Sequence, residues 1–280
     1  MKLSVVITTR NEESNIANCI HAFDAVRDEV EIIVVDNNST DATKRIAAEL
    51  GAKVLDKGPE RSAQRNLGWR TATTEWVIVL DADMILPENT IREILGSAAR
   101  LESAPYQDGR VETPARPLAY WIPEIRTGSG IRVKARNFER SFYNGTCIDA
   151  LRLFHKSVLE KTGGYDENLI AGPEDWELDI RVLATGAKCA VLTNHLIHNE
   201  KQLTLKRMLE KKAYYSKSMA AYQAKWRDHP ALTKQFGVYY RFLGVFIENG
   251  KWKKLIRHPI LAFIMYFERF MVGLTYLVNR

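Results

Sequence analysis

The chain has few cysteines and no recognisable cysteine motif. Among its 280 residues the only cysteines are Cys19, Cys147 and Cys189, and no two of them form a Cys-x-x-Cys pair. An odd number of scattered cysteines argues against a disulfide framework or a zinc site, and it fits a reducing compartment. Met1 and Lys2 lead directly into a short strand pattern without the apolar core of a signal peptide. We therefore expect a cytoplasmic protein.

Two common nucleotide-binding motifs are also missing. No Gly-x-Gly-x-x-Gly follows the first predicted strand, and no Gly-x-x-x-x-Gly-Lys-Ser/Thr occurs. These absences exclude the dinucleotide fingerprint and the P-loop. The composition is otherwise ordinary for a globular protein, with 46% hydrophobic and 26% charged residues.

Charge is distributed unevenly along the chain. Residues 1–200 carry 24 Lys and Arg against 30 Asp and Glu, whereas residues 201–280 carry 16 against 4. The net charge of +6 therefore hides an acidic first part and a strongly basic second part. This asymmetry predicts two units, a domain at 1–200 and a basic helical tail at 201–280, which meet different partners.

The first hundred residues alternate strand and helix patterns. Apolar runs predict strands at 3–8, 31–35, 52–55 and 76–80, and the segments between them have helical spacing, with Asn11 as an expected helix cap. Repeated β-α-β units predict a mainly parallel, doubly wound α/β sheet. Residues 103–146 are rich in proline and glycine and predict an irregular insertion beside the site. A strand at 151–154, a helix at 173–185 and a last strand at 189–192 are expected to follow.

The run at 76–80 ends in two carboxylates, Asp81 and Asp83. The carboxyl ends of parallel strands form the ligand-binding edge of such a sheet. Two neighbouring carboxylates repel each other unless a cation lies between them, and a divalent ion carrying a diphosphate meets that need. Asp81 is then a candidate for binding ribose hydroxyls and Asp83 for binding the metal. The alternative is a pair of surface loop acids.

Other predicted strand ends carry polar side chains as well. They are Thr8, Arg10 and Glu12 after the first strand, Asp36 and Asn38 after the second, and His195 and His198 after the last. Their convergence at one edge describes a nucleotide site, in which Asp36 can accept hydrogen bonds from a base or ribose. Arg61 and Arg65 precede the aspartate strand and can reach phosphates.

Several motifs together resemble glycosyltransferase family 2. They are residues 3–12 and 33–41, Arg65-Asn66-x-Gly68, Asp81-Ala82-Asp83, Gly163-Gly164-Tyr165-Asp166-Glu167, and Glu174-Asp175-Trp176 with Arg181. The resemblance covers about residues 1–200 in the family's order. It departs from the family at Thr8 and Arg10, where Pro and Tyr are common.

The resemblance implies a GT-A fold and an inverting, metal-dependent hexosyltransferase that uses a UDP- or GDP-sugar. It further implies Mg²⁺ or Mn²⁺ at Asp83, with His198 as another ligand, and Asp175 as the catalytic base. Glu174 is the second candidate for the base. Inversion requires a base for the acceptor proton and a Lewis acid for the departing diphosphate, so both groups have a chemical reason to be present. The alternative is that Glu174 and Asp175 are ordinary acidic residues at the start of a helix, without a catalytic role.

The tail combines an apolar stripe with basic residues. Met208, Tyr215, Met219, Tyr222 and Trp226 recur at helical spacing among lysines and arginines. Pro259–Val278 is nearly all apolar, but Glu268 and Arg269 near its middle each cost roughly 2.5–3.5 kcal/mol in a spanning helix. We expect an interfacial or re-entrant helix, with Lys251, Lys253, Lys254 and Arg257 meeting anionic lipid. Simple packing of the tail on the first domain is the alternative.

A membrane-bound tail favours a lipid-linked acceptor, such as a polyprenyl phosphate, at the cytoplasmic face of the membrane. A soluble glycan or protein acceptor remains an alternative. A nucleotidyltransferase shares the fold and the metal but has no use for Asp175, and a silent nucleotide-sugar binding module would bind without turnover. No nucleic-acid motif is present, so no nucleic-acid partner is expected.

Overall fold

Runs of apolar, largely β-branched residues form the centre of the protein, as a seven-stranded sheet with strand order β3-β2-β1-β4-β8-β6-β9. The computed structural model describes residues 2–102, 116–169, 172–199 and 218–278. The strands of this sheet are β1 Leu3–Thr9, β2 Val30–Asp36, β3 Lys53–Asp56, β4 Trp76–Asp81, β6 Ala119–Trp121, β8 Leu151–His155 and β9 Cys189–Val191. Strands β1 to β4 are mutually parallel, whereas β8 is antiparallel to both β4 and β6. The predicted α/β class with a mainly parallel sheet is confirmed.

A second, small sheet lies beside the first and was not predicted. Its order is β5-β10-β7, made of Met84–Ile85, Leu196–His198 and Glu124–Arg126. The prediction that the last strand lies at 189–192 is therefore wrong, because β10 follows it. Strands of two or three residues are too short for a visible alternation of side chains, so the sequence pattern carried no signal for them.

Helices cover both faces of the main sheet. They are α1 Ile16–His21, α2 Thr43–Glu49, α3 Arg61–Thr71, α4 Glu88–Glu102, α6 Lys156–Thr162 and α7 Glu174–Ala184, whereas α5 Ile131–Arg140 packs against β7 of the small sheet. The predicted apolar stripe of α1 is buried, but Asn11 does not cap that helix, which begins at Ile16. Asn11 instead has a φ of 54° and accepts a hydrogen bond from the Thr40 amide at 2.9 Å, so it joins two loops at the edge of the sheet.

The prediction that residues 103–146 are irregular is wrong where the structure describes them. Residues 103–115 lie outside the described residues, but β6, β7 and α5 follow within the next 25 positions. Strand β6 joins the main sheet and β7 joins the small one, so this segment is an integral part of both. Gly130, with a φ of 94°, forms the turn into α5.

The C-terminal part is helical and packs on the first part. Residues 218–225 are helical, followed by α8 Pro230–Phe236, a π-turn at Tyr240–Gly244, a short turn at Val245–Ile247, α9 Trp252–Arg257 and α10 Pro259–Val278. Tyr222 is buried against Leu169 and Ile180, and Met265 packs with Phe138 and Phe142 of the α5 region. The predicted stripe residues Met208 and Tyr215, and their neighbouring lysines, lie outside the described residues. The division at residue 200 stays a prediction.

Candidate active site

A polar cavity of about 520 Å³ opens at the carboxyl ends of β1 and β4. Several predicted site residues line it, namely Thr8, Arg10, Glu12, Asp81, Asp83, Asp175 and His198. The position agrees with the expectation that ligands bind at this edge of an open α/β sheet. The sequence therefore located the cavity from the ends of its strands.

Asp81 ends β4 and is surrounded by positive and hydroxyl groups. Thr8, its partner in the parallel β1–β4 register, donates from Oγ1 to Asp81 Oδ1 at 3.0 Å. Arg61 Nη1 lies 3.2 Å from Asp81 Oδ2, and Arg65 Nη2 lies 3.4 Å from Oδ1. Burial works to raise the pKa of Asp81, but Arg61 and Arg65 lower it well below its ordinary value. Asp81 is therefore an ionised hydrogen-bond acceptor facing the cavity.

Arg65 has a different environment from the one predicted for a phosphate contact. Its side chain is only 1% exposed, and its Nη1 lies 2.7 Å from Asp175 Oδ1 and 3.4 Å from Glu174 Oε1. Together with its contact to Asp81, the guanidinium joins three carboxylates from β4 and α7. The fork geometry of arginine suits this bridging role. The phosphate role predicted for Arg65 is corrected accordingly, because its donors face acids.

Close packing places α3, and with it Arg65, against the sheet. A Cβ added at Gly68 would lie 2.2 Å from a methyl group of Val6 on β1, so only glycine allows this approach. The Asn66 amide donates to the Tyr165 carbonyl at 2.8 Å and accepts from the Tyr165 amide at 2.8 Å. The Arg65-Asn66-x-Gly68 motif therefore fixes α3 between β1 and the segment before α7.

Glu174 and Asp175 occupy the first turn of α7 but face different surroundings. Glu174 is 2% exposed, accepts from the Gly172 amide and does not line the cavity. Burial and the neighbouring Asp175 raise the pKa of Glu174, while Arg65 opposes them. Asp175 lines the cavity. Of the two candidate bases, Asp175 is the one with access to a ligand.

His198 links the small sheet to the aspartate turn. Strand β10 pairs with β5, which places His198 opposite Met84 and brings His198 Nε2 to 3.1 Å from Asp83 Oδ2. Its Nδ1 lies 2.8 Å from Glu124 Oε1. Burial alone would lower the pKa of His198, but hydrogen bonds to Asp83 and Glu124 raise it to about 9. Burial works to raise the pKa of Glu124, yet His198 and Arg140 hold it at about 2.

The Asp83–His198 pair fits one side of a divalent metal site. A carboxylate oxygen and an imidazole nitrogen are ligands that Mn²⁺ accepts, and an acid on the far ring nitrogen is a common support for a metal-binding histidine. Glu124 supplies that support. Within the described ranges, no group of three or more His, Cys, Asp or Glu side chains is arranged to hold an ion. An ion at Asp83 and His198 therefore needs further oxygen ligands, such as those of a diphosphate.

The other predicted donor-binding residues lie around the same edge. Arg10 and Glu12 line the cavity, and the Glu12 amide donates to Thr43 Oγ1 at 2.8 Å. Asp36 is fully buried and accepts from the amide and the hydroxyl of Ser39 at 2.7 and 2.5 Å, so it orders the loop that follows β2. Asn38, in that loop, is exposed with a φ of 51°. The donor roles of these residues stay predictions, as does that of His195.

The cavity also contains residues that the sequence reasoning did not select. They include Gln64, Glu124, Arg126, Arg140 and Arg152. For Glu124 and Arg126 there was no usable signal, because the strand that carries them is three residues long. For Arg152 there was one, since it is the single charged residue of an otherwise apolar strand pattern at 151–154.

The fold and this site define an α/β protein with a polar cavity, lined by acidic and basic side chains, at the carboxyl ends of its parallel strands. The family model described as glycosyl transferase family 2 matches residues 4–163. That is more than half of the chain, and the chain belongs to this family.

Known relatives support the assignment over parts of their length. An uncharacterised glycosyltransferase of Rickettsia typhi is 42% identical over 95 residues, which cover 33% of this chain and 32% of the relative. A dolichol-phosphate mannosyltransferase of Pyrococcus furiosus is 31% identical over 125 residues, covering 40% and 36%. The matched region thus spans about a third of either relative.

The fold matches solved structures of the same general type. A mannosyltransferase of Pyrobaculum calidifontis, in complex with GDP-Man and Mn²⁺, superposes with a TM-score of 0.58 over 94% of this chain and 73% of that one. The two sequences are 18% identical, so the likeness is one of fold. It agrees with the predicted GT-A architecture.

Proposed function

We propose that the protein is an inverting glycosyltransferase that moves a sugar from a UDP- or GDP-sugar to an acceptor hydroxyl or phosphate. The observation that carries the proposal is the convergence of Asp81, Asp83, His198 and Asp175 around one polar cavity. A donor needs groups for its nucleoside, for its diphosphate and for the transfer itself, and these side chains supply all three.

Each side chain has a defined task in the proposed reaction. Asp175 accepts the proton of the acceptor hydroxyl while the oxygen of that hydroxyl attacks the anomeric carbon from the face opposite the diphosphate. The bond between that carbon and the diphosphate oxygen breaks, its electrons leave with the nucleoside diphosphate, and the configuration inverts. A phosphate acceptor is already ionised and requires no proton transfer. Arg65 holds Asp175 in place.

The metal chemistry rests on Asp83 and His198. Mg²⁺ or Mn²⁺, when bound, stabilises the charge that develops on the departing diphosphate. Asp83 would hold it through a carboxylate oxygen and His198 through Nε2, with Glu124 fixing the orientation of the imidazole. The presence of Mn²⁺ beside GDP-Man in the Pyrobaculum calidifontis mannosyltransferase supports this choice of ion and donor class.

The acceptor is proposed to be lipid-linked and to lie at the cytoplasmic face of the membrane. The support comes from α9 and α10, whose outer face is apolar and exposed. Its residues are Trp252, Ile256, Ile260, Phe263, Phe267, Phe270 and Met271, and Phe263 is 71% exposed. A contiguous apolar patch of this kind marks an interaction surface. Among the described residues no helix is long and apolar enough to cross a membrane.

The two charges in the middle of α10 face the protein. Glu268 lies 2.8 Å from Arg132 Nε, and Arg269 pairs with Glu139, both partners being on α5. Both charges are therefore paired within the protein, which is compatible with a helix that lies flat on a membrane surface. The outward side of α10 is apolar, as an interfacial helix requires, and its inward side packs Leu261, Met265 and Tyr266 against the α5 region.

The predicted lipid-facing basic cluster needs correction. Lys251 Nζ donates to the Phe142 carbonyl at 2.7 Å, and Lys254 Nζ donates to Ser141 Oγ at 2.8 Å. These two ammonium groups hold α9 on the α5 region. Lys253 and Arg257 are exposed and are the members of the cluster that remain for lipid phosphates.

A transfer assay tests the activity. The full chain is incubated with a panel of UDP- and GDP-sugars and Mn²⁺, with and without vesicles that contain a polyprenyl phosphate, and the released nucleoside diphosphate is measured. We expect release that depends on one donor and rises with the acceptor. Absence of release with every donor, at protein concentrations where nucleotide binding is measurable, would refute the proposal.

A flotation assay tests the membrane contact. The double variant Phe263→Glu with Phe267→Glu should no longer float with anionic vesicles, while wild type does. Leu183→Glu with Val191→Glu is the matched control, because it places the same charges on exposed apolar positions of α7 and β9. Equal flotation of both variants would remove the support for the lipid-linked acceptor.

A further inference from the structure

Arg152 is a buried charge inside the candidate active site. Its side chain is 8% exposed and lines the cavity beside Asp175 and His198. Within the described part of the chain it makes no hydrogen bond and no ion pair. The other buried arginine of the site, Arg65, has three carboxylate partners by contrast.

An irregularity in β8 directs this side chain. Strand β6 pairs Tyr120 with Leu153 and Trp121 with Leu151, so Arg152 is left without a partner residue in the register. Leu151 consequently packs in the same core cluster as Phe154, whereas Leu153 packs in the other. An extra residue in one strand re-aims a side chain and is common beside active sites. Without this irregularity, the alternation of side chains along β8 would point Arg152 into the apolar core.

The charges around Arg152 are mainly acidic, with Arg65 as a basic neighbour, and none of them is in contact with it. Burial works to lower the pKa of Arg152, but Asp175, Asp81 and Glu124 raise it against the opposing charge of Arg65. Asp81 is already paired with Arg61 and Arg65, and Glu124 with Arg140 and His198. The N–H donors of the Arg152 guanidinium are therefore available to a ligand that enters the cavity.

We propose that Arg152 binds a phosphate group of a substrate in the part of the cavity that Asp175 and His198 line. Burial of an unpaired guanidinium is unfavourable unless an anion forms an ion pair with it. The planar fork of its donors matches two phosphate oxygens. The phosphate has two sources, the diphosphate of the donor and a phosphate carried by the acceptor. This inference rests on the proposed function and names the chemical group that the site takes.

Binding measurements with the full chain separate the two sources. Wild type, Arg152→Gln and Arg152→Lys are titrated calorimetrically with UDP and with GDP in the presence of Mn²⁺, and separately with farnesyl phosphate. Arg45→Gln is the control, because it removes the same charge from an exposed pair on α2. Melting temperatures with and without each ligand show whether a variant remains folded.

We expect Arg152→Gln to weaken binding of at least one of these phosphates about 10- to 100-fold, with a smaller loss for Arg152→Lys, which keeps the charge but not the fork. A loss confined to the nucleotides assigns the contact to the donor, and a loss confined to farnesyl phosphate assigns it to the acceptor. A loss in both assigns it to a phosphate position that the two share.

Binding of all the phosphates within threefold of wild type would overturn the inference. If Arg152→Gln fails to fold, the same criterion is applied to Arg152→Lys. The transfer assay on wild type is independent of this result. Transfer without any dependence of phosphate binding on Arg152 refutes only the inference, and phosphate binding without transfer refutes only the proposed function.

Discussion

Arg65 and Asp175 lie 110 positions apart in the sequence, yet Arg65 Nη1 is 2.7 Å from Asp175 Oδ1. The contact joins α3 to the start of α7 across the edge of the sheet. Because Arg65 also reaches Asp81, the residue that ends β4 and the proposed base are held by one guanidinium. The position of the base is thus a property of the core of the protein.

Replacing Arg65 should destabilise the fold. Arg65→Met leaves Asp81, Glu174 and Asp175 without their shared cation, and breaking a buried ion pair costs about 3–5 kcal/mol. Urea unfolding followed by circular dichroism measures the loss. Arg70→Met, one turn and a half further along α3 and exposed, is the control and should change stability little. A loss below about 1 kcal/mol for Arg65→Met would contradict the bridging role.

Asp83→Asn should remove the metal-dependent part of nucleotide binding. The amide keeps the size of the side chain but loses the negative charge that holds a divalent cation beside His198. Titration with GDP or UDP, with Mn²⁺ and then with EDTA, measures this dependence. We expect wild type to bind more tightly with Mn²⁺ and the variant to bind equally in both conditions. A variant with unchanged Mn²⁺ dependence would disprove the assignment of Asp83, and the exposed Asp56→Asn should behave as wild type.

Asp175→Asn should slow sugar transfer by about 10²–10⁴-fold while donor binding is retained. The amide oxygen can still accept from Arg65, so the geometry survives and only the proton acceptor is lost. Glu174→Gln is the matched comparison, and its buried position outside the cavity predicts a much smaller effect. Single-turnover rates with a hydroxyl acceptor decide between them. The reverse order of effects would move the base to Glu174.

Asp149 should make stability depend on pH. Burial raises its pKa to about 6 in the folded protein, against about 3.9 in an unfolded chain. The folded state then binds more protons than the unfolded state between these values, so the free energy of unfolding falls as the pH rises from 4 to 6. By pH 8 the loss is about 3 kcal/mol.

Asp149→Asn removes this dependence and can keep the hydrogen bond from the Gly145 amide. We expect the variant to be more stable than wild type at pH 8, with the difference shrinking towards pH 4. Chemical denaturation at several pH values measures it, and the exposed Asp28→Asn serves as the control. A difference that does not vary with pH would show that burial does not govern this carboxyl.

The sequence predicted the parts of the fold that repeat. Strands β1, β2 and β4 are long apolar runs, and their ends carry Thr8 and Asp81, so periodicity alone brought these residues to one edge. His198 was placed at this edge because it follows the strand predicted at 189–192, but it lies on β10, and its role as a metal ligand came from the family resemblance. Nothing in the local sequence pattern predicted that β7 would bring Glu124 into contact with His198.

The prediction failed where a side chain's partner is far away in the chain. Arg65 was expected to face phosphates because it is basic and near the site, but it forms ion pairs with the acids of α7. Glu268 and Arg269 argued against a spanning helix, but their partners on α5, about 130 positions earlier, could not be predicted from the sequence. Hydropathy along the chain describes a helix as if every side chain had the same surroundings, and α10 does not meet that condition.

The small β5-β10-β7 sheet sets a lower limit on how far the protein can be shortened. The family match ends at residue 163, before α7 and β10, yet Asp175 and His198 lie beyond it. A fragment cut at that boundary would keep the part of the cavity that β1 and β4 form and would lose Asp175 and His198. Any split version or domain exchange that aims to preserve the site must therefore keep residues up to at least His198 as one unit.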